Sequence, residues 1–180
     1  MQTMTIEKRP SGILSRLFIA AVPVGVVRLR VWFDDEHNIS ECAAAIVDAL
    51  SPTGTVALEF WDESPSVLKS LEALSLHTTR PNAAGHLVLS DTPAKDLTPV
   101  LERLSFASFG AWLAMPQETL AKVVTLKSDK ARMEAMPDGA IMLVFSLYDK
   151  NVELVSKGLD EGLLRTKLQA AAARTGARLA

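Results

Sequence analysis

The residues of this chain best suited to chemistry are carboxylates set directly after strand-like runs. The run Val26-Val27-Arg28-Leu29-Arg30-Val31-Trp32-Phe33 stops at Asp34-Asp35, and apolar runs ending at Trp61, Ser90 and Tyr148 are followed by Asp62-Glu63, Asp91 and Asp149. If those strands are parallel, their carboxyl ends gather along one edge of the sheet, where α/β proteins bind ligands. Several carboxylates meeting there would hold a hard cation such as Mg²⁺. Asp34, Asp35 and Asp91 are the candidate metal ligands, and the chemistry would be phosphohydrolytic or phosphoryl transfer. Aspartate at a strand-to-helix turn also has a structural use, since its side chain caps the free amides of the next helix.

The pair Asp34-Asp35 after one strand, with Asp91 after a later one, faintly resembles the acidic pocket of response-regulator receiver domains, which alternate strand and helix. The resemblance implies Asp91 as phosphoacceptor, with Asp34 or Asp35 helping to hold Mg²⁺. The chain departs from that pattern: no Ser or Thr ends the run at Ala114-Met115, and Lys150 lies beyond its strand, behind Tyr148-Asp149. The acidic site therefore stands as the alternative to a second constellation. In the run 26–33, Val27, Leu29, Val31 and Phe33 share one face, while Arg28, Arg30 and Trp32 share the other. Exposed Trp and Arg side by side are the usual composition of a binding hot spot. The leading expectation is a non-enzymatic protein-interaction or regulatory module that binds another protein through Arg28, Arg30 and Trp32.

Other chemistries find little support. There is no Gly-x-x-x-x-Gly-Lys phosphate loop, no Gly-x-Gly-x-x-Gly turn and no Gly-x-Ser-x-Gly elbow. His37, His77 and His86 lack the paired spacing of a zinc site. The single Cys42 falls among Ile39, Ala43, Ile46 and Val47 on one helical face, which marks it as core. No cofactor is expected outside the Mg²⁺ alternative. Nineteen Lys+Arg against 21 Asp+Glu give a net charge of -2 with dispersed basic residues, which argues against nucleic-acid binding. Leu17-Phe18-Ile19-Ala20-Ala21-Val22 follows Lys8, Arg9 and Arg16 as in an export signal, but it is too short to span a bilayer and runs into Pro23 and Gly25. A strand in a cytoplasmic protein without membrane contact is the expectation for it. Nothing in the pattern sets an oligomeric state.

The elements that must position these residues read as one domain, as 180 residues with 48% hydrophobic content allow. Residues 1–11 read as a loose tail and 12–180 as the domain. Residues 13–22 and 26–33 look like an antiparallel hairpin around Pro23-Val24-Gly25, with the second strand near a sheet edge because one of its faces is polar. A capped helix follows from Asn38, with Ile39, Cys42, Ala43, Ile46, Val47 and Leu50 as its apolar stripe. Strands then alternate with helices: strands at 56–61, 86–90, 106–115 and 140–145, helices at 65–74, 98–104 and from Pro116, and a last helix carrying Leu159, Leu163, Leu164 and Leu168. Lys127–Gly139 reads as a charged loop ending in a turn. This order predicts an α/β domain with a mixed, mostly parallel sheet of five or six strands flanked by helices, with α+β as the alternative class.

Overall fold

The computed structural model describes residues 3–8, 23–34, 39–51, 55–61, 65–74, 87–93 and 97–179. Its strands are β1 (Thr3–Lys8), β2 (Val26–Phe33), β3 (Thr55–Phe60), β4 (Leu87–Pro93), β5 (Ser108–Leu113), β6 (Ile141–Ser146), β7 (Asn151–Lys157) and β8 (Arg178–Leu179). Its helices are α1 (Ile39–Leu50), α2 (Pro65–Ala73), α3 (Leu97–Arg103), α4 (Gln117–Val123), α5 (Asp129–Ala135) and α6 (Glu161–Arg174). All eight strands form one sheet in the order β4-β3-β5-β6-β7-β2-β1-β8. Every pairing from β4 across to β1 is antiparallel; the two-residue β8 alone runs parallel, beside β1.

The mixed α and β composition holds, but the mostly parallel sheet does not. β2 and β3 do run in the same direction, as a strand-helix-strand unit implies, yet β5, β6 and β7 stand between them with alternating sense. The strand at the root of this is β7, which the sequence pattern passes over because Glu153 and Ser156 interrupt its apolar residues. Leu147 to Lys150 form a tight turn between β6 and β7, closed by the Lys150 amide donating to the Leu147 carbonyl at 3.0 Å. Lys150 takes a left-handed φ of 55° there.

The N-terminal reading also changes. Residues 3–8, expected in a loose tail, are β1, and they pair with Leu29–Phe33 of β2 while β7 pairs with Val26–Trp32 on the other side. Both sides of β2 are thus occupied over Leu29–Trp32, so the partner expected from residues 13–22 is replaced there by β1. Residues 9–22 lie outside the described residues. β2 is therefore an inner strand, and its polar face comes from the open side of the sheet rather than from an edge.

The two faces of the sheet differ because strand side chains alternate. On the first face Leu29, Val31 and Phe33 of β2 join Leu58, Phe60, Phe109, Ala111, Leu143, Phe145, Val152 and Leu154 in a core closed by α1, α2, α3 and α6. Phe60, Phe109 and Phe145 pack in series with ring centroids 5.1 Å apart. Each such fully buried large side chain contributes about 1.5–3 kcal/mol. The α1 stripe of Ile39, Cys42, Ala43, Ile46, Val47 and Leu50 is buried as its spacing predicts. Asp160 caps α6 by accepting from the Leu163 amide at 3.1 Å.

The second face is covered by α4 and α5 over one half. Leu120, Val123, Met133 and Met136 pack there against Trp112, Met142 and Val155, near the edge where β2 and β3 begin. Calling that edge lower, the upper part of this face is the row Ser108, Ser146, Asn151, Trp32 and Thr5, with Asn151 buried and Ser108 and Thr5 exposed.

Candidate functional site

The second face carries an ordered row of side chains. Glu7, Arg30, Glu153, Val144, Gly110 and Glu59 stand opposite one another in register across β1, β2, β7, β6, β5 and β3. Their strands place Glu153 and Glu59 on one face, three strand spacings apart, or roughly 14 Å. Each carboxylate has its own arginine clamp.

Glu59 is fully buried, and both Trp112 and Arg132 engage its carboxylate. Trp112 donates its indole N–H to Glu59 Oε2 at 2.9 Å. Arg132 of α5 donates Nη1 to the same oxygen at 3.1 Å and places Nη2 3.0 Å from Oε1. The same guanidinium donates Nε to the Leu126 carbonyl at 2.8 Å and Nη2 to the Val124 carbonyl at 3.1 Å. One arginine thus ties the end of α4 and the start of α5 to the sheet. Ser128 starts α5 by accepting from the Ala131 amide at 3.2 Å.

Glu153 is held from the β2 side. Arg28 Nε pairs with Glu153 Oε1, and Arg30 Nη2 lies 3.5 Å from Oε2. The Arg30 guanidinium also sits over the Trp32 ring, 5.3 Å from its centroid, a cation–π geometry. Trp32 in turn donates its indole N–H to Glu7 Oε2 at 3.2 Å. Arg28, Arg30 and Trp32 therefore occupy the face their alternation predicts, but as a braced array. The side chains of Arg28 and Arg30 keep only 14% and 21% of their exposure, and Trp32 is half-buried.

Between the two clamps lies a cleft of about 350 Å³. Its apolar floor is Met142, Val144 and Val155 of the sheet with Met133 of α5, and Trp61 forms one wall. The Trp61 ring lies across Gly110, where a Cβ would come 3.1 Å from its Cζ2. Arg28, Glu153 and Arg132 line the cleft, together with the exposed Lys127 and Asp129 at the entry to α5.

The strand-end carboxylates are distributed differently. Asp34 is exposed at the upper end of β2, and Asp149 is exposed in the β6–β7 turn at the same edge, where the Phe33 amide donates to the Lys150 carbonyl at 2.9 Å. Asp91 lies within β4, next to the Thr92–Val56 pair and toward the lower edge. β4 and β2 are also five positions apart in the sheet, or roughly 24 Å. Asp34 and Asp91 are not brought together, because an antiparallel sheet sends its strand ends to both edges. Asp35, Asp62 and the three histidines lie outside the described residues. Among the described residues no group of three or more His, Cys, Asp or Glu could hold a metal ion. Cys42 is buried. No helix among the described residues is long and apolar enough to cross a membrane.

The arrangement also weighs on carboxylate chemistry. Paired acid–base carboxylates work roughly 5–9.5 Å apart across a scissile bond; Glu59 and Glu153 are farther apart than that, with each engaged by an arginine. Lys127, Arg132 and Glu153 are among the site residues that sequence reasoning missed. Two signals could have found them: the alternation Val152-Glu153-Leu154-Val155 after the Tyr148-Asp149-Lys150 turn, and Ser128 three residues before Ala131 as a helix cap. In comparisons with known proteins, no family model matches the chain, and neither a curated protein nor a solved structure matches it.

Proposed function

We propose that this chain is a non-enzymatic protein-interaction or regulatory module that binds another protein through the second face of its sheet. The observation that carries this reading is the braced array Arg28–Glu153–Arg30–Trp32–Glu7, in which Arg28 and Glu153 line the cleft and Trp32 stays half-buried beside the exposed Thr5. Arginine and tryptophan held in fixed geometry lose little side-chain entropy on association, which is what an interface anchor needs. The upper part of the face adds the polar side chains of Ser108, Ser146 and Thr5, which suit the polar rim of a non-obligate interface.

Site-specific photo-crosslinking in the native host tests this. A photoreactive side chain at the exposed Thr5, on the second face, should capture a discrete partner identified by mass spectrometry. The same group at the exposed Leu163, on the outer side of α6, should not capture it. Equal capture from both positions, or capture from Leu163 alone, refutes the assignment of the face.

A further inference from the structure

The geometry points to a specific occupant for the cleft between α5 and the sheet: a partner segment that presents a leucine-sized apolar side chain next to a carboxylate. This rests on the protein-binding reading and names the chemistry of the partner at that surface. The volume of about 350 Å³ is near the lower end of pockets that enclose ligands, room for one side chain and its flanking backbone. The floor of Met133, Met142, Val144 and Val155 with the Trp61 wall is apolar, and methionine adapts to variable side-chain shapes.

The polar end of the cleft sets the charge. Among the residues that line it the cations Arg28, Lys127 and Arg132 outnumber the carboxylates Asp129 and Glu153 by one, on a chain whose net charge is -2. Glu59 and Glu153 are already engaged by arginines, so they do not compete for an incoming base. Lys127 stands exposed at the rim, with no hydrogen bond or ion pair among the described residues. An acidic group beside the inserted apolar side chain would meet Lys127 first, since Arg28 and Arg132 already pair with Glu153 and Glu59.

Three blocked dipeptides test this on the full chain by NMR titration: acetyl-Leu-Glu-amide, acetyl-Leu-Gln-amide and acetyl-Ala-Glu-amide. Acetyl-Leu-Glu-amide should shift the Trp61 indole and the Met133 and Met142 methyl signals saturably in the millimolar range. It should bind about two- to fivefold more tightly than the Gln analogue, the size of one solvent-exposed ion pair. Acetyl-Ala-Glu-amide should bind more weakly than acetyl-Leu-Glu-amide, for want of an anchor. Lys127→Gln, at an exposed position, should abolish the Glu-over-Gln preference while leaving the leucine-dependent shifts. Equal binding of the Glu and Gln peptides, a preference unchanged by Lys127→Gln, or the absence of saturable shifts at the cleft overturns the inference. A partner crosslinked from Thr5 alongside such a null titration would leave the protein-binding reading standing and remove only this occupant.

Discussion

Replacing Arg132 by Met removes one partner from a buried ion pair and so measures how firmly α5 is fastened to the sheet. Glu59 is 0% exposed and Arg132 6%, which makes this an interior pair rather than a surface one. Leaving such a carboxylate without its counter-charge costs about 3–5 kcal/mol. The Val124 and Leu126 carbonyls lose their guanidinium donors as well, and the methionine recovers part of the loss by filling apolar space. A net destabilisation of about 4 kcal/mol is expected. For a domain of this size it would lower Tm by about 8–16 °C. The assay is urea unfolding followed by tryptophan fluorescence and near-ultraviolet circular dichroism. A second variant separates charge from packing: in Glu59→Gln/Arg132→Met the amide oxygen still accepts from Trp112, now 2.9 Å from the carboxylate, while the buried charge is gone. That double variant should be about 2 kcal/mol more stable than Arg132→Met alone. A cost below about 1 kcal/mol for the single variant, or a double variant no more stable than it, would refute the reasoning.

Three further outcomes follow from local geometry. Gly110→Ala should cost about 1–3 kcal/mol and move the Trp61 indole signal, because the new Cβ would sit 3.1 Å from Trp61 Cζ2 and 3.6 Å from the Leu143 carbonyl oxygen; an unmoved indole and an unchanged Tm would count against that contact. Asp160→Ala should cost about 1 kcal/mol by freeing the Leu163 amide at the start of α6, seen as a lower urea midpoint and faster hydrogen exchange in the first turn. Asp48→Asn should cost less than about 1 kcal/mol, since the Arg174–Asp48 pair joins α6 to α1 with both side chains more than half exposed. Salt should shrink even that difference, and a loss that persists in 1 M salt would show the pair to be more than a screened surface contact.

What the sequence made legible was local, and what it hid was long-range and charged. The α1 stripe and the apolar run of β6 announce themselves because each buries residues that look buried: every position of Ile39, Cys42, Ala43, Ile46, Val47 and Leu50 is inside. Strand pairing carries no such mark, because alternation within a strand says nothing about which neighbour it meets. The polar face of β2 illustrates this: Arg28, Arg30 and Trp32 signal a side that is not fully apolar, which an edge strand and an inner strand of a half-covered sheet share. α5 and β7 escape the sequence pattern for a sharper reason. The buried residues of α5 are Arg132 and Met133, and β7 buries Asn151, Glu153 and Ser156 among its apolar residues. Arginine and glutamate read as surface until their partners are known, and Arg132 finds Glu59 at a separation of 73 residues. A buried ion pair disguises both of its halves as loop or solvent face. The two elements lost to that disguise supply Arg132, Met133, Glu153 and Val155 to the cleft, so the misread topology and the missed site have one physical cause.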